Sequence, residues 1–273
     1  MLQARSWLPR TQGSVRLGFA GTAGHTALCD LYQAGAARVR FPKPAAHAAP
    51  EAVLLNTAGG LTGGDRIDIE VTLASGCEAT VTSAAAEKIY RALDGETEIR
   101  VRLGLGDGAR LAWLPQPTIL FDQSRLDRRT EVSLASGGRL LAVEILIFGR
   151  AAMAEDVLRG ACRDAWRVRR DGRLVFADTV LVDGPIADVL DRAATLDGAR
   201  ATAMLLYVAP DAAVRLDEAR ALLVDAGSAA GVSTWNDLLV VRAVARDGRT
   251  LQRDLEPLIE RFSGRPLPRV WQC

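Results

Sequence analysis

Two heptapeptides, Glu70-Val71-Thr72-Leu73-Ala74-Ser75-Gly76 and Glu131-Val132-Ser133-Leu134-Ala135-Ser136-Gly137, agree at six of seven positions and share a period-2 alternation of polar and apolar residues. That period places every second side chain on one face, the pattern of a half-buried strand. In Arg66 to Leu73 the apolar face is Ile67, Ile69, Val71 and Leu73; Ile99, Val101, Leu103 and Leu105 repeat it, and Val132 and Leu134 begin it again. Midway between the two copies stands Arg100-Val101-Arg102-Leu103-Gly104-Leu105-Gly106-Asp107-Gly108. Each unit passes through a Gly-containing turn into a second apolar strand, at Ala79 to Val81, Leu111 to Leu114 and Leu140 to Phe148. Strand-turn-strand units about 30 residues apart predict a mainly β fold of stacked sheets, a solenoid-like array. Helical spacing is largely absent between residues 60 and 150.

The later chain mixes elements. Trp166 to Phe176 carries an Asp171-Gly172 turn between two strand-like runs, a hairpin signal. Met204 to Val208 and Leu238 to Val244 read as strands, with Asp247-Gly248 as a turn after the second. Helix-like spacing covers Asp217 to Asp225. It returns at Leu251 to Phe262, where Leu255, Leu258, Ile259 and Phe262 share a side and Gly264 and Pro266 close the helix. About two helices are therefore expected toward the C-terminus, the second, Leu251 to Phe262, as a partner-binding helix. Without a linker or charge block, residues 1–273 read as one domain, a β body to about 185 and a mixed strand and helix part from about 186.

Between the first strands lies Asn56-Thr57-Ala58-Gly59-Gly60-Leu61-Thr62-Gly63-Gly64-Asp65. A phosphate-cradling loop would end in a lysine and a hydroxyl residue, where Asp65 and Arg66 stand here. A dinucleotide loop would open a helix, and this one opens a period-2 strand. Paired glycines permit positive φ or close backbone approach, which leaves open the use of Asp65. An ion pair with Arg66 or Arg91 is one explanation. The histidines, His25 and His47, stand in no triad arrangement, and Ser83 and Ser124 lack a nucleophile context. Glu87, Asp122, Glu144, Glu155 and Asp178 are carboxylates near apolar runs. Glu144 lies inside Leu140 to Ile147, so it either pairs with an arginine, Arg150 being near in sequence, or lines an internal polar path. A glycosidase-like pair of acids could be drawn from the same set.

A formal net charge of +1 gives no global field for nucleic acid or an anionic membrane. No apolar run reaches the roughly 18 residues of a membrane span, and the N-terminus lacks a signal-peptide core. Cys29, Cys77, Cys162 and Cys273 form no CxxC pair. A cytoplasmic protein is expected.

Five stretches in order resemble the urease accessory protein UreD (UreH) family. They are the glycine loop, Thr82-Ser83-Ala84-Ala85-Ala86-Glu87-Lys88-Ile89-Tyr90-Arg91, Leu114-Pro115-Gln116-Pro117-Thr118-Ile119-Leu120-Phe121, Ile147-Phe148-Gly149-Arg150-Ala151-Ala152-Met153-Ala154-Glu155, and the ending Pro268-Arg269-Val270-Trp271. Glu87 departs from the small residue often found at its place in the second motif. The resemblance implies a non-enzymatic, layered β scaffold that binds UreF and, through it, the GTPase UreG. It docks on urease apoprotein and helps load the dinuclear nickel site. A carbohydrate-active β-array enzyme using paired carboxylates and a generic interaction module are the other readings. Nickel(II) is held tightly by imidazole and thiolate, and this chain offers few of either. No high-affinity metal site and no tightly bound cofactor are expected, only transient Ni2+. Asp65, Glu144, Asp178 and Glu87 are the carboxylates expected on a polar interior route or at its mouth.

Overall fold

The computed structural model describes residues 10–22, 25–43, 49–150 and 156–272. Its strands are assigned to two sheets. The first holds β1 (Gln12–Thr22), β2 (His25–Gly35), β5 (Arg66–Leu73), β8 (Thr97–Leu105), β11 (Arg125–Leu134), β13 (Gly160–Arg170) and β14 (Arg173–Gly184), in spatial order β14-β13-β11-β8-β5-β1-β2. The second holds β3 (Ala37–Arg40), β4 (Glu51–Asn56), β6 (Glu78–Ser83), β9 (Arg110–Leu114), β12 (Arg139–Phe148), β15 (Ala201–Val208), β16 (Ala229–Trp235) and β17 (Leu238–Ala245), in order β16-β17-β15-β12-β9-β6-β4-β3. Two short strands, β7 (Glu87–Ile89) and β10 (Thr118–Leu120), join it beside β12.

From β5 to β13 the chain alternates between sheets, so successive passes stack in parallel: β5, β8, β11 and β13 in one sheet, β6, β9 and β12 in the other. This is the solenoid-like array the repeat spacing predicts. The echoed heptapeptides fall into register through the pass between them, with Glu70 opposite Arg102 and Arg102 opposite Glu131. Arg16 and Arg167 extend that rung on either side, so charge alternates in sign across five strands. Opposite charges facing each other favour the pairing, and a one-residue slip would turn each strand inside out. The neighbouring rung of Leu17, Val71, Leu103, Val132 and Val168 is fully buried between the sheets.

Around β12 and β15 the second sheet buries both faces. Its inner residues, such as Leu140 and Ala142, join the core between the sheets. Its outer residues, such as Leu141, Val143 and Ile145, meet a helix. That helix, α3 (Gly248–Ser263), packs on β12, β15 and β17 through Leu251, Leu255, Leu258, Ile259 and Phe262. The apolar side expected to await a partner is therefore covered by this sheet. Asp247 and Gly248, expected as a turn, are the N-cap and first residue of α3: the Asp247 carboxylate accepts the Thr250 N–H, one of the donors a helix start leaves open. Gly264 ends α3 in the left-handed region, φ 69°. The other expected helix is α2 (Leu216–Leu222), and a third, α1 (Ile186–Leu190), is too short to leave a periodic signal. The predicted hairpin joins β13 to β14 through Asp171 and Gly172, both at positive φ (49° and 78°). No described helix is long and apolar enough to cross a membrane.

Candidate functional site

The glycine loop is a backbone junction. Gly59 and Gly64 have φ of 77° and 85°, which glycine adopts without strain. A Cβ on Gly60 would meet the Tyr90 ring at 2.3 Å, and one on Gly63 the Asp94 carbonyl at 2.1 Å. The Asp65 carboxylate, 3% exposed, accepts the N–H groups of Thr11 (2.7 Å) and Thr62 (2.8 Å), so it ties the loop to the residue that leads into β1. Arg66 turns to Asp68 and Glu98, and the Thr62 hydroxyl reaches the Arg91 carbonyl. In place of an ion pair, one explanation for Asp65, stand two backbone donors, which serve a buried carboxylate as well.

The other motifs lock onto this loop. Asn56 Nδ2 donates to both oxygens of Glu87, at 3.0 and 3.2 Å, and the Glu87 N–H meets the Pro117 carbonyl. Tyr90 stacks edge-on against Phe121, whose other neighbour is the Arg150 guanidinium, 4.4 Å from the ring centre. The Gly149 N–H donates to Leu120. Pro115 and Gln116 line a cavity between the sheets, and Gln116 Nε2 donates to Val270 at the C-terminus. Glu155, His47 and Cys273 lie outside the described residues.

Glu144 does not pair with Arg150. Residue 150 stands beyond the end of β12, whereas Glu144 points inward from its middle and meets Arg128 from the opposite sheet. Arg128 holds Asp164 through two bonds, Nε to Oδ1 at 2.9 Å and Nη2 to Oδ2 at 2.7 Å. Its Nη1 donates to Thr118 Oγ1 (2.9 Å) and sits 2.8 Å from Glu144 Oε1. That last contact is an ion-pair distance without hydrogen-bond alignment, so Oε1 is buried beside a cation but lacks a donor. Two carboxylates share one guanidinium in the core. Burial, with repulsion from Asp164, outweighs Arg128 and pushes the Glu144 carboxyl up to about 8. Burial likewise raises Glu87, against the pull of Asn56. Burial and then Asp164 push the nearby Cys162 thiol up, which keeps this sulfur protonated and a poor ligand at neutral pH.

Two cavities meet at this cluster. The larger, about 330 Å³, has apolar walls including Ile67, Ile99 and Trp113, and a polar side formed by Asn56, Glu87, Gln116, Thr118, Arg128 and Glu144. The smaller, about 80 Å³, is lined by Glu144, Asp164, Asp178 and Arg242 among others. Glu144 borders both. Asp178 on β14 accepts Arg242 Nη2 at 2.8 Å. Of the four carboxylates expected along an interior route, Glu87, Glu144 and Asp178 line these cavities, and Asp65 lines neither. Arg128 and Asp164 escaped the sequence reading, although a signal existed. Counting by twos back from Leu134 and Val132 places Arg128 inward, and Asp164 shares a face with Cys162 and Trp166. Among the described residues no three His, Cys, Asp or Glu side chains gather closely enough to hold a metal ion.

Fold and site together define a stacked two-sheet β protein with a buried Arg128, Glu144 and Asp164 cluster between its sheets, at the boundary of two cavities. The chain belongs to the UreD urease accessory protein family, whose family model matches residues 11–272. The urease accessory protein UreD of Methylobacterium sp. (strain 4-46) is 48% identical over 96% of this chain and 95% of its own length. The UreD of Azorhizobium caulinodans is 48% identical over 96% of both chains, and that of Agrobacterium fabrum 41% over 96% of this chain and 91% of its own. Membership supports a role in urease maturation, and the relatives carry the names of accessory proteins, not enzymes.

Proposed function

We propose that this chain is a non-catalytic scaffold of urease maturation in the cytoplasm, and that nickel ions bound for urease cross its interior along Glu87, Glu144 and Asp178. It binds UreF, UreG through UreF, and urease apoprotein, and keeps no cofactor tightly. The observation that carries the route is the place of Glu144, which borders both cavities with a buried Oε1 beside the Arg128 guanidinium and in no aligned hydrogen bond. Carboxylate, amide and hydroxyl oxygens bind Ni2+ more weakly than imidazole or thiolate, so a path of such groups passes an ion on and does not store it. Asp65 contributes by holding the glycine loop in shape. The three described cysteines are free, as a reducing compartment favours.

The test is co-expression of this chain with UreF, UreG and urease apoprotein, followed by elemental analysis of the purified urease. Omitting the chain should abolish nickel loading. Glu144→Gln and Asp178→Asn should lower the nickel content several-fold while the accessory complex still co-purifies. Normal loading by both variants would sink the route, and failure of any complex to form would sink the scaffold reading itself.

A further inference from the structure

On the outer face of the second sheet, where α3 ends, a pocket of about 210 Å³ gathers five guanidinium groups, those of Arg110, Arg139, Arg215, Arg261 and Arg265. Three carboxylates serve them. Asp211 takes Arg139 (3.1 Å) and Arg215 (2.6 Å), with the Tyr207 hydroxyl donating to it as well. Glu218 takes Arg215 again, and Arg261. Glu78 takes Arg265 at 2.9 Å. Arg110 has no carboxylate partner among the described residues, although Glu78 is its neighbour in register, because Glu78 is engaged by Arg265. Five positive charges thus stand against three negative ones. The C-terminal end of α3 adds about half a negative charge, which still leaves a surplus above one.

The register sharpens this surplus. Arg110 on β9 and Arg139 on β12 are directly opposite in adjacent parallel strands, on the same face of the sheet. Like charges so placed repel, and of the two only Arg139 has a carboxylate partner among the described residues, Asp211. An anion between them would turn the repulsion into two charge-assisted contacts. A single carboxylate would neutralise only one charge, whereas phosphate at neutral pH carries about one and a half to two and offers oxygens in several directions.

We propose that this pocket binds an oxyanion of the phosphate class, with Arg110 and Arg139 as its principal ligands and Tyr207, Arg215 and Asp211 as the framework that fixes the pocket wall. The site lies on the sheet face away from the interior cavities and stands independently of the nickel route.

The full chain is titrated with inorganic phosphate, and with chloride and succinate at matched ionic strength, by calorimetry and thermal unfolding. Phosphate should bind and raise Tm beyond chloride. Arg110→Gln, at an exposed position, should weaken phosphate at least about tenfold, the loss expected for one charged hydrogen bond, and remove the extra Tm shift. Arg139→Gln should do the same. Arg102→Gln, on the outer face of the first sheet, should leave phosphate binding unchanged. A phosphate shift no larger than chloride's would overturn the site. So would an Arg102→Gln loss equal to that of Arg110→Gln, which would mean general charge. Succinate binding as tightly as phosphate would overturn the ligand class in favour of acidic side chains.

Discussion

Glu144 and Asp164 are held in the core by one arginine, an arrangement that costs desolvation on every member and returns it only through Arg128. The proton state of Glu144 therefore links the interior to pH. Its folded value lies above the ordinary carboxylate value, up to about 8, through burial first. Between the unfolded and folded values the native chain keeps a proton the unfolded chain has lost. The stability tied to that proton is full below the unfolded value and is lost as pH rises through the folded one. Glu144→Gln cannot ionise, so the stability of the native chain relative to this variant should fall by on the order of 2 kcal/mol or more from about pH 5 to about pH 8. Urea unfolding of both proteins across that window measures it, and the raised Glu87 cancels in the difference. Parallel curves would mean that Glu144 is ionised in the folded core. The junction was half legible in the sequence. Glu144 announced itself inside an apolar strand, but its partner lies on another sheet, and proximity along the chain pointed to Arg150 instead.

Among elements, the passes of the solenoid were readable because their side chains alternate without a break and because the two heptapeptides stack through Arg102. The junctions between passes were not. Whether paired glycines bind a ligand or admit a neighbour depends on what approaches them, and what approaches Gly63 is the backbone of the turn before β8. A methyl group there would sit 2.1 Å from the Asp94 carbonyl and 2.8 Å from Ala92 Cβ. Both neighbours belong to a connection pinned by the Gly64 N–H to Glu96 and the Asp65 carbonyl to Glu98, so neither can yield cheaply. Gly63→Ala should cost about 1 to 3 kcal/mol by overpacking. It should appear as a lower urea midpoint with an unchanged slope. Gly59→Ala has open space at its Cβ and meets only the positive φ, so it should fall at the low end of that range, about 1 kcal/mol. Equal costs at the two positions would mean that the turn before β8 yields to the added methyl.

Across the whole molecule, the second sheet makes the β body and the later chain continuous, since β15 pairs with β12 along eight residues. Its outer face is closed by α3 and by the final turn, where Trp271 is 4% exposed and its Nε1 donates to the Leu114 carbonyl at 3.0 Å. Gln116 joins the same closure, donating to Val270 and accepting from Gln252 of α3. The third motif and the C-terminal motif, far apart in the chain, are thus two sides of one seam. Trp271→Ala should destabilise by about 3 to 5 kcal/mol, the usual cost of emptying a buried aromatic site. Trp271→Phe should cost nearer 1 kcal/mol, because the Leu114 carbonyl keeps the Thr82 hydroxyl as a donor. If β12 and β15 melt as parts of one sheet, far-UV circular dichroism and the fluorescence of the remaining tryptophans should report the same midpoint in each variant. A fluorescence transition that separates from the circular dichroism in Trp271→Ala would show instead that the part beyond residue 185 unfolds by itself.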